Sequence, residues 1–496
     1  MANKMRLLSS VVALLLVCTG GEAAVLAGDN RALLLTGGPL RVSSDNPRYF
    51  ADSENRIVFL TGSHSWENFQ DITSTFDYQA YLERLTTLNH NFIRLWVGES
   101  LRSDGGWLMH PPARENPVAP IPYLRTGPGV ASDGGPRLDL SQFNPVYFER
   151  LRARVQQAGQ RGFYVSVMLF QGFSVVERVA WNAHPFNGRN NVNGIDGDVD
   201  GDGAATEVQR STAFRVLSVQ EAYVRKVLDT LHDLDNVLYE VVNEALPESV
   251  PWQYHFIRYI KQYERDRQYA AHPVGMTFFQ LGEFGGGDNR TLFDSPADWI
   301  SPGGYTQYAR NPPVADGRKV MLLDTDHIHG IGGDRDFVWE GFFRGYNPIY
   351  MDPLGALHEL TIGEPVLNEP QHERARRAMG EARRWADRLD LRRVVPSGEL
   401  SSTGYCLAEP GQEYLVYAPA GIVPMQSVDV RTTRPVTVNL SNTTGQFTVE
   451  WMDIETGTML KAGSLDGGGE RMLTVPFSGG ALAHLRLSKQ PIHGQR

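Results

Sequence analysis

Val237-Leu238-Tyr239-Glu240-Val241-Val242-Asn243-Glu244 is an apolar run, rich in β-branched residues, that closes on an amide and an acid. Its length suits a buried strand better than a helix. Similar runs lie at Ile57–Leu60, Phe92–Trp96, Tyr164–Leu169, Gly275–Phe279, Asp298–Ser301, Val320–Leu323 and Pro348–Met351, which makes eight. Longer amphipathic stretches separate them and read as helices at Tyr78–Leu88, Pro145–Gly162, Ser218–Leu234, Trp252–Tyr269 and Arg335–Gly345. Short β-rich runs alternating with helices predict parallel strands joined by crossovers. Eight of them over residues 56–393 predict an α/β chain with a (β/α)8 TIM barrel.

From Val394 the texture changes. Tyr414–Tyr417, Val436–Leu440 and Phe447–Trp451 alternate in polarity and are separated by turns rich in Gly, Pro and Asn, which predicts a small antiparallel β-sandwich over residues 394–496. Residues 25–55 read as an extended lead-in. At the start, Lys4 and Arg6 precede the apolar stretch Leu7–Val17, and the small residues Gly20, Gly21, Ala23 and Ala24 follow. This is the pattern of a secretory signal over residues 1–24 and predicts a secreted or periplasmic protein. The stretch falls well short of the about 20 apolar residues needed to cross a bilayer. Cys18 lies inside the signal and is not preceded by a small residue, which argues against lipid attachment. Cys406 then stands alone, so the fold has no intrachain disulfide.

The 496 residues are 41% hydrophobic and 21% charged, which places the chain among globular proteins with a large core. The net charge of −10, with Lys and Arg scattered, leaves no electrostatic footprint for a nucleic acid or an anionic membrane. Fifty glycines and 10% aromatic residues suit tight loops and clefts that stack on flat ligands such as sugars. The oligomeric state is not legible here.

Chemistry in a (β/α)8 barrel sits at the carboxyl ends of the strands, so the residues that close each run matter most. Strand four closes on Asn243-Glu244 and strand seven on Asp324-Thr325-Asp326-His327. Two carboxyl groups facing each other across the barrel mouth are what glycoside hydrolysis requires, one as proton donor and the other as nucleophile or base. Asp324 and Asp326 share side-chain parity, and the sequence leaves open which is the second carboxylate. Each residue also has a structural reading. Glu244 could bridge to Arg94 at the rim, and either aspartate could orient the other or cap a helix. His64 and Trp66 close strand one, where they would bind a sugar hydroxyl and a ring face or else plug the mouth.

Arg94 in Phe92-Ile93-Arg94-Leu95-Trp96, Asn243-Glu244 after strand four and a carboxylate closing strand seven together resemble the clan A, cellulase-like glycoside hydrolases. The resemblance implies that Glu244 is the acid/base and that Asn243 binds the hydroxyl next to the anomeric carbon. It also implies that Arg94 supports the nucleophile, that configuration is retained, and that catalysis needs no cofactor. The clan usually has Glu at the end of strand seven, where this chain has two Asp; the shorter side chain widens the separation from Glu244, in the direction of inversion. Asn46–Phe50, Phe59–Trp66, Asp324–His327 and Asn347–Asp352 also resemble secreted bacterial glycosidase-like proteins whose C-terminal module is named a collagen-binding domain. A poly- or oligosaccharide is the implied partner, with Arg94, Asn243, His64, Trp66 and His327 around it. The alternative is a non-catalytic extracellular polysaccharide- or collagen-binding protein with a degenerate barrel.

Residues 196–207 read Asp-Gly-Asp-Val-Asp-Gly-Asp-Gly-Ala-Ala-Thr-Glu. Asp196, Asp198, Asp200, Asp202 and Glu207 fall at the oxygen-ligand positions of an EF-hand loop, with Gly201 at the sharp turn. Gly203 departs from the apolar eighth position, and no helix pair flanks the loop, so the reading is a lone loop for a structural Ca²⁺. Its alternative is an acidic solvated turn. His327 and His329 beside the strand-seven aspartates suggest Zn²⁺, but a metallohydrolase needs more histidines at other strand ends, and His64 alone is available. No serine-nucleophile elbow, P-loop or H-E-x-x-H occurs.

Overall fold

Eight parallel strands form the barrel: β1 (Gly62–His64), β2 (Phe92–Leu95), β3 (Tyr164–Gln171), β4 (Val237–Asn243), β5 (Val274–Thr277), β6 (Trp299–Ser301), β7 (Val320–Asp324) and β8 (Asn347–Met351). They pair in the order β1-β8-β7-β6-β5-β4-β3-β2. Asn91 closes the ring by donating its N–H to the Thr61 carbonyl at 3.0 Å. The computed structural model describes residues 38–488 apart from 66–67, 73–75, 103–116, 177, 279–287, 304–306, 329, 331, 353–369 and 421–433. The signal reading of residues 1–24, Trp66 and His329 therefore lie outside the described residues.

The outer helices are α1 (Tyr78–Thr87), α2 (Pro145–Gly159), α3 (Phe214–Leu231), α4 (Val250–Arg267), α5 (Asn289–Phe293), α6 (Arg335–Phe343) and α7 (Pro370–Arg388). Their starts follow from side-chain caps, because the first N–H groups of a helix need acceptors. Asp77 accepts from Ala80 N, Asn144 from Val146 N ahead of Pro145, and Asp334 from Phe337 N. Between β6 and β7 the described residues hold no helix.

The barrel interior is layered. Leu60, Phe92, Tyr164, Leu238, Trp299, Leu322 and Ile349 fill the lower layer, with Leu40 and Phe50 of the lead-in plugging the bottom. Gly275 makes room for the Trp299 indole, since a Cβ there would lie 1.9 Å from the ring. Two residues further along β2, β3 and β4 the layer turns polar, with Arg94, Ser166 and Glu240 all buried. The sequence reading of Ile57–Leu60 as the first barrel strand is corrected. Ile57–Val58 pairs antiparallel with Phe50–Ala51 in a three-stranded lead-in sheet, and β1 begins at Gly62. A Cβ at Gly62 would stand 2.0 Å from the Phe92 carbonyl, so β1 approaches β2 more closely than the bulkier run before it could.

The long connections after β2 and β3 carry structure of their own. A hairpin of Tyr123–Val130 and Pro136–Phe143 joins short helices at Phe173–Val176 and Arg178–Asn182. Leu138, Trp181, Phe186 and Val208 belong to a separate apolar cluster there.

The C-terminal strands are β9 (Val395–Pro396), β10 (Cys406–Glu409), β11 (Glu413–Ala418), β12 (Pro435–Asn439), β13 (Gln446–Asp453), β14 (Met459–Asp466), β15 (Glu470–Thr474) and β16 (Ala481–Leu487). Six form an antiparallel sheet in the order β9-β10-β11-β16-β13-β14, and β12 pairs with β15. Period-two alternation buries both faces of this sheet. Tyr414, Val416, Phe447, Trp451 and Leu485 share a cluster with Val436, Val438 and Leu473 of the β12–β15 ribbon. Leu415, Tyr417, Met452 and Leu482 instead join the barrel core. Tyr417 lies 5.7 Å from Phe343 and 6.4 Å from Trp339, ring centre to ring centre, and donates to Asp336 at 3.0 Å. Trp385 of α7 donates from Nε1 to Met452 Sδ at 3.3 Å.

Because that interface is one continuous apolar core, barrel and sandwich should unfold in a single denaturant transition. Trp385→Ala should cost about 3–5 kcal/mol, measured by urea titration. A second transition in the wild type, or a loss below about 1 kcal/mol, would contradict a shared core.

Candidate active site

Arg94 projects from β2 into the polar layer, is 2% exposed, and hydrogen-bonds to acceptors on two other strand ends. Its Nε and Nη2 grip Glu240 at 2.9 and 2.6 Å, and Nη2 also donates to Asn243 Oδ1 at 2.7 Å. Its Nη1 donates to Asp324 Oδ2 at 3.1 Å and Asp326 Oδ2 at 2.9 Å. Burial works against the Arg94 charge, but Glu240, Asp324 and Asp326 outweigh it and raise its affinity for the proton well above the ordinary. Glu240 is the partner that sequence reasoning missed. Its signal was present as the one charge inside the apolar run of β4, two residues from the inward-facing Leu238.

The two aspartates are held differently. Asp324 accepts from His64 Nε2 at 3.0 Å and from the backbone N–H of Asp326 at 3.0 Å on Oδ1, and from Arg94 on Oδ2. Burial would raise its affinity for a proton, but the neighbouring His64 and Arg94 hold it far below the usual carboxylate range. Asp326 accepts from Arg94 through Oδ2, with His327 Nε2 at 3.7 Å.

Glu244 has the opposite electrostatics. Among the described residues no cation pairs with its carboxyl group, so the rim bridge to Arg94 does not form. Burial, then the charge of Asp326, push its pKa well above the ordinary value, and Arg94 only partly opposes them. Arg94 serves three carboxyl groups, Glu240, Asp324 and Asp326, and leaves the fourth, Glu244, outside its hydrogen bonds. The Glu244 backbone is left-handed, with φ +50, a conformation that costs a non-glycine residue free energy. Gly172 at the end of β3 permits that turn. Its N–H donates to the Asn243 carbonyl at 2.7 Å, and a Cβ on it would fall 2.3 Å from the Glu244 carbonyl oxygen.

Three residues expected to contact the sugar are engaged by protein groups. His64 is fully buried; it stacks near-parallel to Trp96 at 5.9 Å and serves Asp324. His327 spends Nδ1 on Ser301 Oγ at 2.7 Å and Nε2 on Asn243 Oδ1 at 3.0 Å. Burial and then Arg94 lower its pKa, so it is neutral, donating from Nε2 and accepting the Ser301 hydroxyl at Nδ1. Asn243 is 0% exposed, and its Nδ2 donates to Gln171 Oε1 at 3.1 Å. All three orient the carboxylates and amides around them. Gln171, at the end of β3 in register with Asn243, is a second residue that sequence reasoning missed; a lone Gln closing a strand carries no chemical signature.

In the loop after β3, the carboxylates of Asp198, Asp200 and Asp202 come within 4.8 Å of one another. Glu207 Oε2 is buried and accepts no hydrogen bond among the described residues. Burial, and then Asp200, raise the Glu207 pKa. Asp196 falls outside the trio and accepts from Asp198 N at 3.2 Å.

A family model described as a domain of unknown function (DUF6298) matches residues 83–277, a span that includes Arg94, Gln171, Glu240, Asn243 and Glu244 but ends before β7. No curated protein matches the chain. A solved structure titled "Glycoside hydrolase" is similar with a TM-score of 0.55 at 12% identity, covering 92% of this chain and 98% of that one. A glycoside hydrolase family 5 structure from Bacteroides vulgatus ATCC 8482 is similar with a TM-score of 0.57 at 12% identity, covering 91% of this chain and 93% of that one. At such identity the likeness establishes a shared fold over nearly the whole chain.

Proposed function

We propose that this protein is a glycoside hydrolase acting on a poly- or oligosaccharide, with Glu244 as the proton donor and Asp326 as the second carboxylate. The observation that carries the reading is the opposed electrostatics of two carboxyl groups at one barrel rim. Burial and Asp326 raise the pKa of Glu244, while His64 and Arg94 hold that of Asp324 far below the usual carboxylate range. Carboxyl groups driven apart in this way are suited to acid and base roles at one pH. Asp324 has both oxygens occupied by three donors, which suits a positioning residue. Asp326 keeps Oδ1 outside that network and is the strongest charge acting on Glu244. The glycoside hydrolase titles of the similar folds support the substrate class, and the resemblance to clan A supports retention, with Asp326 attacking the anomeric carbon as Glu244 protonates the leaving oxygen. The signal pattern in residues 1–24 supports export.

The test is a screen of the purified chain without residues 1–24 on polysaccharides and aryl glycosides, reading reducing ends. Glu244→Gln should lower turnover about 100- to 10,000-fold without loss of fold. Azide should restore turnover to Asp326→Ala and not to Asp324→Ala. Near-normal turnover by Glu244→Gln would refute the assignment, and a folded wild type inert on every glycoside would favour the binding-protein alternative. Because Glu244 must be protonated to act and its pKa is raised, activity should persist above the ordinary carboxylate pKa of about 4.3 and fall as pH climbs through the raised value. An alkaline limb at or below that ordinary value would refute the acid role.

We also infer that Asp198, Asp200, Asp202 and Glu207 hold a structural Ca²⁺, whose charge would offset their mutual repulsion and give the buried Glu207 oxygen a partner. Calcium should then raise the melting temperature by mass action, and EDTA should reverse the gain. The pair Asp198→Ala with Glu207→Ala should abolish the response. A wild type indifferent to calcium would leave the loop an acidic solvated turn.

A further inference from the structure

The Gln171 amide, one residue before the glycine that touches the Glu244 backbone, has a fixed orientation while half of its hydrogen-bonding capacity is unspent. Arg94 Nη2 can only donate, so the Asn243 atom facing it at 2.7 Å is the carbonyl oxygen. The other end of that amide, Nδ2, can also only donate, and it faces Gln171 at 3.1 Å. Gln171 therefore presents its own oxygen to Asn243 and turns its NH₂ group away. Among the described residues no acceptor lies within hydrogen-bond distance of that NH₂, and the nitrogen is not a buried orphan.

The backbone of Gln171 is pinned by side chains. Its N–H donates to Glu99 Oε2 at 2.7 Å, and its carbonyl accepts from Gln209 Nε2 at 3.3 Å. Gly172, the next residue, touches the Glu244 backbone. Gln171 is 6% exposed, the same as Glu244, whereas Asn243 is sealed at 0%. We propose that Gln171, and not Asn243, donates to a hydroxyl of the reacting sugar and determines which hydroxyl pattern the site accepts. The proposal rests on the glycoside hydrolase reading. A site built to serve a hydroxyl discriminates against analogues that lack it, because the donor is then left unmatched.

The experiment is a cycle between Gln171 variants and a series of monodeoxy aryl glycosides. Gln171→Met removes the amide, while Gln171→Glu keeps the oxygen that Asn243 needs and replaces only the donor; thermal melts confirm that both fold. Both variants should lose about tenfold in kcat/KM on the parent glycoside. One monodeoxy analogue should be about tenfold poorer for the wild type yet no poorer than the parent for either variant, with losses additive for the other analogues. Additive losses across the whole series would overturn the proposal and leave Gln171 a structural residue. Wild-type turnover tests the hydrolase reading separately. If the wild type turns over none of the glycosides, the same cycle is read calorimetrically from binding of the parent and monodeoxy sugars, with non-additivity supporting the Gln171 contact and additivity refuting it.

Discussion

A guanidinium can only donate, and the buried Arg94 imposes that restriction on the amide and carboxyl groups it grips. Facing it, Asn243 must show its carbonyl oxygen, which obliges His327 Nε2 to carry a proton and leaves His327 Nδ1 to accept from Ser301. Outward in the other direction, Asn243 Nδ2 fixes Gln171. The same cation sets the charge balance, since it satisfies Glu240 bidentately and shares its remaining terminal nitrogen between two aspartates. Much of the orientation of the groups at the barrel mouth therefore descends from one side chain two residues above Phe92.

Such a layer is a poor way to stabilise a barrel. Buried ion pairs recover little of their desolvation cost, and removing one partner alone is strongly destabilising. The polar layer persists because it rests on a fully apolar one, from Leu60 to Ile349, sealed by the lead-in. The C-terminal sheet adds to the same core from outside through Leu415, Tyr417 and Leu482. Glu244 adds a further cost, since its backbone is left-handed and, among the described residues, no cation pairs with its carboxyl group. Free energy is given up at the rim and recovered in the core.

Periodicity made the architecture legible. All eight barrel strands except the first overlap the runs that the sequence marks, and α1, α2 and α6 start at the residues where the helical stretches do. Strand one was misplaced because Ile57–Leu60 is the more strand-like text, whereas the register is set by a steric fact, the approach of Gly62 to the Phe92 carbonyl. The hairpin after β2 escaped notice because its strand Tyr123–Val130 holds Gly127, Pro128 and Gly129, residues that ordinarily argue against a strand. At the site, residues with intrinsic chemistry stood out, and those whose role comes from a neighbour did not. His64 and His327 looked like ligand contacts because histidine is versatile; burial decides that they face inward.

Exposure and reactivity separate at this rim in a way that sequence cannot express. Arg94, Asn243 and Asp324 carry most of the hydrogen bonds and are almost sealed, while Glu244 and Gln171 carry few and are the more accessible. A preorganised site needs this division, because groups already saturated by one another cannot also rearrange to meet a substrate. The register of β3 against β4 brings it about. Gln171 lies opposite Asn243, so the strand position that follows each places Gly172 against Glu244. The missing side chain on one strand end gives the other room to turn left-handed and carry its acid beyond the sealed layer.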